Sequence, residues 1–421
     1  MPAPSFSGLA TLPLFVTFDS HVDIHDLNGS SAAAPWRAQE VFVWGATDNA
    51  AKMAAWRKAV PHAKLSYYMP YSRAPSASRG FGLEFWQREH PDWILYRCDR
   101  KTVAFWNDET APTGSVPLDF TNPDVIRWQV ENQSKTAAQL GYDAMAFDNY
   151  GGGARQGASP GEACGVWLRN GTQWEYRFNQ SGHTFSDLQS AAVRNASVVW
   201  LESVRARMAQ LTPSLGIVPN LCIDEPSKSH TPADWAKSAD AARVMAASTA
   251  VLSERGFTQW GSAKVGEAEL LNEWGWIDRL AAASKAYYSI NEVQAGVNAS
   301  WVEWVIGAFL MAMQPAGLSG LWLGGVQDYG GWSYTSRGLS APIGAPLAGR
   351  RQLDAGVWIR NFSGGVALVN PRPGRATVHV GGGDARGWRN LTGGPASVDR
   401  SGSVQLEPAS SRVLLYAGAA A

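Results

Sequence analysis

Tyr142-Asp143-Ala144-Met145-Ala146-Phe147-Asp148-Asn149-Tyr150-Gly151-Gly152-Gly153 joins an apolar run to an acid, an amide and a glycine tract. Apolar runs set between helical patterns read as buried parallel strands. A carboxylate at the C-terminal end of such a strand stands where α/β enzymes place their chemistry. Asp148 is therefore the first candidate catalytic residue.

The surrounding sequence repeats the pattern. Phe15 to Phe18 reads as a strand ending at Asp19, and Val41 to Trp44 as a second, with Asp48 capping a helix that buries Met53, Trp56 and Val60. Lys64 to Met69 gives a third, with a helix near Gly82 to His90. Asn122-Pro123 opens a helix with an asparagine cap and a proline at the first helical position. That helix leads into the Tyr142–Phe147 strand. After a glycine-bearing insertion (about residues 151 to 183), which reads as a lid, a subsite wall or a surface loop, Thr184 caps the next helix. Leu215 to Asn220, Ala247 to Leu252, Tyr287 to Ile290 and Leu321 to Leu323 complete eight strand candidates. Between the later ones, Leu270, Trp274, Ile277 and Ala281 mark one helix face, and Trp301, Trp304, Val305, Ala308 and Phe309 another. Alternating strands and helices predict an α/β fold, a (β/α)8 TIM barrel over residues 1–345. From about residue 350 the period shortens to strands and turns, which predicts a small C-terminal all-β sandwich over residues 346–421 that carries no chemistry.

Composition narrows the function classes. Lys plus Arg and Asp plus Glu each number 36, so the formal net charge is zero. The basic footprint of a nucleic-acid or anionic-membrane binder is missing, and no apolar run reaches membrane-spanning length. No signal peptide is visible, which fits a cytoplasmic chain or the trimmed mature form of a secreted one. Three scattered cysteines, Cys98, Cys164 and Cys222, show neither metal spacing nor a disulfide framework; three buried free thiols are the expectation, with one bridge at most. Tryptophan stands out at 20 residues, which suits a large aromatic core or walls for sugar rings.

Cleaving a glycosidic bond takes two carboxyl groups, one to protonate the leaving oxygen and one to attack the sugar or activate water. Strand ends here supply acids repeatedly: Asp19, Asp148, Asp224 with Glu225, Glu254 and Glu292. Taken singly, such an acid is more often a helix cap or a loop ion-pair partner. Asp148 and Glu254 are the catalytic candidates, with Asp224 or Glu225 replacing Glu254 if the strand count is off by one. Asp19, Asn149, Asn220 and Glu292 are candidates for sugar hydroxyls. Trp44, Tyr68 and Trp322, at or near strand ends, are candidates for ring stacking, or else core plugs.

"AFDNYGG" (146–152), "VLSERG" (251–256) and the tail "GVWIRNFSGGVALVNP…LEPASSRVLLY" (356–416) resemble a barrel glycoside hydrolase with its C-terminal β-domain. The chain resembles the hypothetical glycosyl hydrolase family 15-like group, related in layout to the α-galactosidase and α-glucosidase barrels. This resemblance implies a carbohydrate substrate and no cofactor. It makes Asp148, after strand four, the nucleophile, and Glu254, after strand six, the acid/base, although the related barrels carry Asp at the second position. It also implies retention and an α-linkage. A carboxylate separation of about 5–5.5 Å accompanies retention and one of about 6.5–9.5 Å inversion.

Other classes stay open on the residues alone. Asp19-Ser20-His21-Val22-Asp23-Ile24-His25 suggests a metal-dependent barrel hydrolase, but His62, His90, His183, His230 and His379 do not fall at strand ends, so no metal is expected. A non-catalytic carbohydrate-binding barrel and a transglycosylase would use the same cleft. Oligomeric state is not legible.

Overall fold

The computed structural model describes residues 13–17, 40–45, 49–75, 80–105, 114–150, 163–169, 171–177, 191–221, 237–259, 263–293, 299–314, 318–325, 341–380, 387–391 and 396–417. The chain forms two compact units, one of Met1–Leu65 with Leu252–Ala421 and one of Ser66–Val251.

The parallel strands are β1 (Leu14–Thr17), β2 (Glu40–Gly45), β3 (Lys64–Pro70), β4 (Ala144–Asp148), β5 (Gly216–Pro219), β6 (Ala250–Ser253), β7 (Ala286–Val293) and β8 (Ser319–Gly325). The principal helices are α1 (Ala50–Ala59), α2 (Pro123–Gln129), α3 (Ala191–Leu211), α4 (Ala239–Ala247), α5 (Glu267–Ala282) and α6 (Ala299–Ala312). All eight strands overlap the sequence expectations, and the class is α/β. No helix among the described residues is long and apolar enough to cross a membrane.

In the unit that contains both termini, β1 pairs with β2 and β8, and β7 pairs with β8 from Tyr287↔Ser319 to Val293↔Gly325, all parallel. Helix α5 buries Leu270, Trp274, Ile277 and Leu280, the stripe its four-three spacing predicted. Helix α1 begins one residue later than expected. Asn49 is its cap, accepting from the Ala51 and Lys52 amides at 2.9 and 3.1 Å, and Asp48 lies outside the described residues. The same unit carries the antiparallel strands β9 (Arg351–Gln352), β10 (Trp358–Phe362), β11 (Gly365–Asn370), β12 (Ala376–His379), β13 (Trp388–Asn390), β14 (Ser403–Leu406) and β15 (Ser410–Tyr416). They form a five-stranded sheet, β9-β10-β11-β15-β13, and a β12-β14 pair. One apolar core (Val357, Ile359, Val366, Leu368, Val378, Val404, Leu406, Leu414) serves both.

Helix α6 is seated against this sheet by its sequence. A Cβ at Gly307 would stand 2.5 Å from Ser411 Cβ, so only glycine permits the approach. Buried Arg360 donates from Nη1 to the Leu310, Met311 and Met313 carbonyls at 2.9, 3.1 and 2.8 Å, filling acceptors that the end of α6 leaves open. Glu303 accepts from Arg412 at 2.8 Å and from the Val413 amide at 3.1 Å.

In the Ser66–Val251 unit, β4 lies between β3 and β5, parallel to both. Met69, Met145 and Phe147 pack with Trp200, Val204 and Met208 of α3. Burying a side chain of Phe147's size contributes about 1.5–3 kcal/mol. Asn122 caps α2 through the Asp124 amide at 2.9 Å, with proline at the first turn, as the sequence predicts. Helix α2 continues through a π-turn, Val130–Ser134, into Lys135–Gln139. Gln129 and Gln133 flank and occupy that π-turn and face inward. Gln129 Nε2 donates to the Tyr71 carbonyl at 3.0 Å, and Gln133 Oε1 accepts from the Tyr67 hydroxyl at 3.3 Å.

A three-stranded antiparallel sheet of Tyr96–Arg97, Ala163–Trp167 and Trp174–Tyr176 also belongs to this unit. It places regular structure inside the insertion after Asp148. Cys98 and Cys164 are joined as a disulfide with 5.1 Å between their Cα atoms, which corrects the expectation of three free thiols. The bridge was hidden because the pairing of two distant strands brings its ends together across 66 positions. Cys222 and Thr184 lie outside the described residues.

Candidate active site

Asp148 closes β4, beside Pro70 of β3, and its neighbour Phe147 pairs with Pro219 of β5. Side chains alternate along a strand. Met145 and Phe147 face the helices, so Ala146 and Asp148 face away from them, as does Tyr68, which pairs with Ala146. On that face three side chains converge on one carboxylate. Tyr68 Oη and Asn149 Nδ2 donate to Asp148 Oδ2 at 2.9 and 3.0 Å, and Asn220 Nδ2 donates to Oδ1 at 2.8 Å. A carboxylate offers about four lone-pair positions, so about one is left for a reacting group.

The backbone around Asp148 is fixed with equal care. Its carbonyl accepts from the Tyr71 amide at 3.2 Å, and the Asn220 amide donates to the Phe147 carbonyl at 2.8 Å. Asn149 adopts φ 53°, a left-handed conformation that asparagine tolerates better than most residues. Tyr150 is fully buried, and its hydroxyl donates to the Ser197 carbonyl of α3 at 3.1 Å. The turn therefore has one anchor on the helix side and another on the strand side.

Glu254 follows β6 and is half-buried in a tight turn. Gly256 has φ 52°, and a Cβ there would fall 2.1 Å from the Ile290 carbonyl and 2.4 Å from Asn291 Oδ1. Asn291 Oδ1 also accepts from the Phe257 amide at 2.7 Å, while its Nδ2 donates to Ser289 Oγ at 2.9 Å and the Trp322 carbonyl at 3.2 Å. Arg255, buried, directs Nη2 toward Glu269 Oε2 in the first turn of α5 at 3.6 Å, so its guanidinium pairs with that helix.

Glu292 is the next residue along β7 and points to the face opposite Asn291, beside Gly324 of β8. It is 6% exposed. Burial raises its pKa above the usual carboxylate value, and no hydrogen-bond donor reaches it among the described residues. A carboxyl in this setting holds its proton further toward neutral pH.

Of the other candidates, Tyr68 serves as a hydrogen-bond donor to Asp148 through its hydroxyl. Trp44 and Trp322 are 6% and 1% exposed, so their ring faces lie in the core. Asp19, Asp224 and Glu225 lie outside the described residues. Among the described residues no group of three or more His, Cys, Asp or Glu side chains is arranged to hold a metal ion. The burial of Glu292 was not legible in the sequence, where it looked like any other strand-end acid.

No family model matches the chain, and no curated protein does. Solved structures do. Amy13B of Eubacterium rectale matches 98% of this chain over 97% of its own at 9% identity and TM-score 0.48. The noncanonic maltogenic α-amylase AmyB of Thermotoga neapolitana matches 97% of this chain over 98% of its own at 10% identity and TM-score 0.47. The glycoside hydrolase domain of PelA from Pseudomonas aeruginosa matches 75% of this chain over 95% of its own at 11% identity and TM-score 0.41.

Proposed function

We propose that the protein is a glycoside hydrolase, with its parallel strands closing as a (β/α)8 barrel over residues 1–345 and a β-sandwich over residues 346–421. Asp148 is its nucleophile. The observation that carries this reading is the single carboxylate held by Tyr68, Asn149 and Asn220 at a strand's C-terminal end. Three donors fix the direction of its oxygens, and a nucleophile gains rate from being held in the line of attack. Amides and a phenol beside a carboxylate also suit sugar hydroxyls, which both donate and accept. Glu254 is the acid/base of this reading, in a turn that Gly256 and Asn291 hold in place. The reaction then retains configuration through a glycosyl–Asp148 intermediate, which water resolves.

One observation favours a second assignment of the proton donor. Burial raises the pKa of Glu292, and a general acid must keep its proton near neutral pH.

Release of reducing ends from a panel of α- and β-linked oligosaccharides tests the activity. Asp148→Asn removes it while the circular dichroism spectrum stays that of the parent. Full activity in Asp148→Asn ends the assignment. Aryl glycosides with good leaving groups need little protonation, so whichever of Glu254→Gln and Glu292→Gln spares these substrates while losing natural ones marks the acid.

A further inference from the structure

We propose that the three-stranded sheet of the Ser66–Val251 unit carries a second glycan-binding surface, built on Trp167, Trp174, Tyr176 and Arg100. The register Trp167↔Trp174 and Gly165↔Tyr176 puts these three aromatic rings on one face, while Cys164 and Val166, fully buried, fill the other. All three rings are part-exposed. The open face of an antiparallel sheet ordinarily carries polar side chains, and clustered apolar surface marks a place of association.

The cluster is held rigidly. Trp174 lies over Gly165, where a Cβ would come within 2.9 Å of its Cζ2. Its ring meets those of Trp167 and Tyr176 edge-on, with centroids 5.4 and 5.7 Å apart. The Arg100 guanidinium carbon lies 5.6 Å from the centre of the Trp174 ring and 5.4 Å from that of Tyr176. Arg100 Nη2 donates to the Tyr176 hydroxyl at 2.8 Å, and its carbonyl accepts from Trp167 Nε1 at 2.9 Å.

Arg100 takes part at a cost. Its φ of 60° is left-handed, a conformation that residues with a side chain seldom adopt. Asp99 fixes the turn by accepting from the Lys101 and Thr102 amides and the Thr102 hydroxyl, bonds that hold its carboxyl down to about 2. The Cys98–Cys164 disulfide ties the same turn to the hairpin.

This surface matches the chemistry of a sugar chain. Flat indole faces take the C–H side of a pyranose, and a fixed guanidinium with a phenol beside it takes ring hydroxyls or a uronate carboxylate. No carboxylate pairs with Arg100 among the described residues. The proposal rests on the carbohydrate reading of the protein but not on the role of Asp148.

Affinity electrophoresis tests it, using the Asp148→Asn chain so that the polysaccharide survives. The gels contain soluble starch, dextran or alginate. Retardation in at least one gel is expected, with Trp167→Ala and Trp174→Ala each weakening it about tenfold or more. Arg100→Gly is the control for folding, because glycine accepts the left-handed turn. It should keep the melting temperature and still weaken retardation, most strongly in alginate if the guanidinium reads a carboxylate. In the Asp148-bearing chain, none of the three changes should slow hydrolysis of a short soluble glycoside. The proposal is overturned if no gel retards the protein, or if folded Trp variants and Arg100→Gly migrate as the parent does. An active Asp148→Asn chain would instead sink the catalytic assignment and leave this surface standing.

Discussion

Asp148 and Glu292 are both acids on parallel strands, and their surroundings are opposite. Asp148 is surrounded by donors: a phenol and two amides meet its oxygens between 2.8 and 3.0 Å. Glu292 is surrounded by packing, and the cause of its raised pKa is burial alone. One environment orients a carboxylate; the other shifts the balance toward the protonated form. Nucleophile and acid in two-carboxylate catalysis need that division, and environment rather than residue type supplies it.

The largest effect should come from the oriented acid. Asp148→Asn is expected to lower kcat by about a thousandfold or more, the scale seen when a group acting in the transition state is lost. Steady-state rates on the best substrate of the panel check it. Next, the proposed proton donor, Glu254 or Glu292, should cost about 10²–10⁴ on natural glycosides when changed to Gln, with near-parental rates on activated aryl glycosides. If neither variant shows that split, the contrast between the two acids has no catalytic meaning.

The donor set offers a finer test. Tyr68→Phe and Asn220→Ala each remove one hydrogen bond to a charged group, worth about 1.5–3 kcal/mol, so kcat should fall about tenfold to a hundredfold with little change in KM. A shift in KM alone would make them substrate ligands instead.

The smallest effect is on stability. A carboxyl whose folded pKa is raised by burial binds its proton more tightly in the native state than in the unfolded one. Stability from this group is complete below the ordinary glutamate value and is lost as pH rises through the raised folded value. Glu292→Gln should therefore match the parent's melting temperature in acid and exceed it above that window. A calorimetric pH series that shows parallel curves would contradict the burial argument.

What the sequence revealed follows from how far each signal reaches along the chain. The β4 strand was legible because five consecutive residues carry its apolar pattern and its acid. The Asn122 cap was legible because capping needs only neighbours two or three positions on. The Cys98–Cys164 bridge and the Trp167–Trp174 hairpin were not, since each depends on pairing between strands whose short, mixed sequences look like loop. For the Asp148 cluster, the sequence supplied Tyr68, Asn149 and Asn220 as candidates near strand ends. Their convergence on one carboxylate required the register of three strands. For Trp44 and Trp322 the sequence left ring stacking and core plug both open, as a tryptophan at a strand end reads alike in either place; both are buried.

The packing of Gly256 against Asn291 has a bearing on ancestry. Any side chain at 256 would collide with the amide oxygen that also receives the Phe257 backbone. The Ile290 carbonyl, 2.1 Å from the same Cβ, closes the site from the backbone as well, so glycine is required at 256 wherever this turn persists. Distant kin that share little else could be recognised by a glycine at this point, thirty-five positions before the asparagine that receives the Phe257 amide.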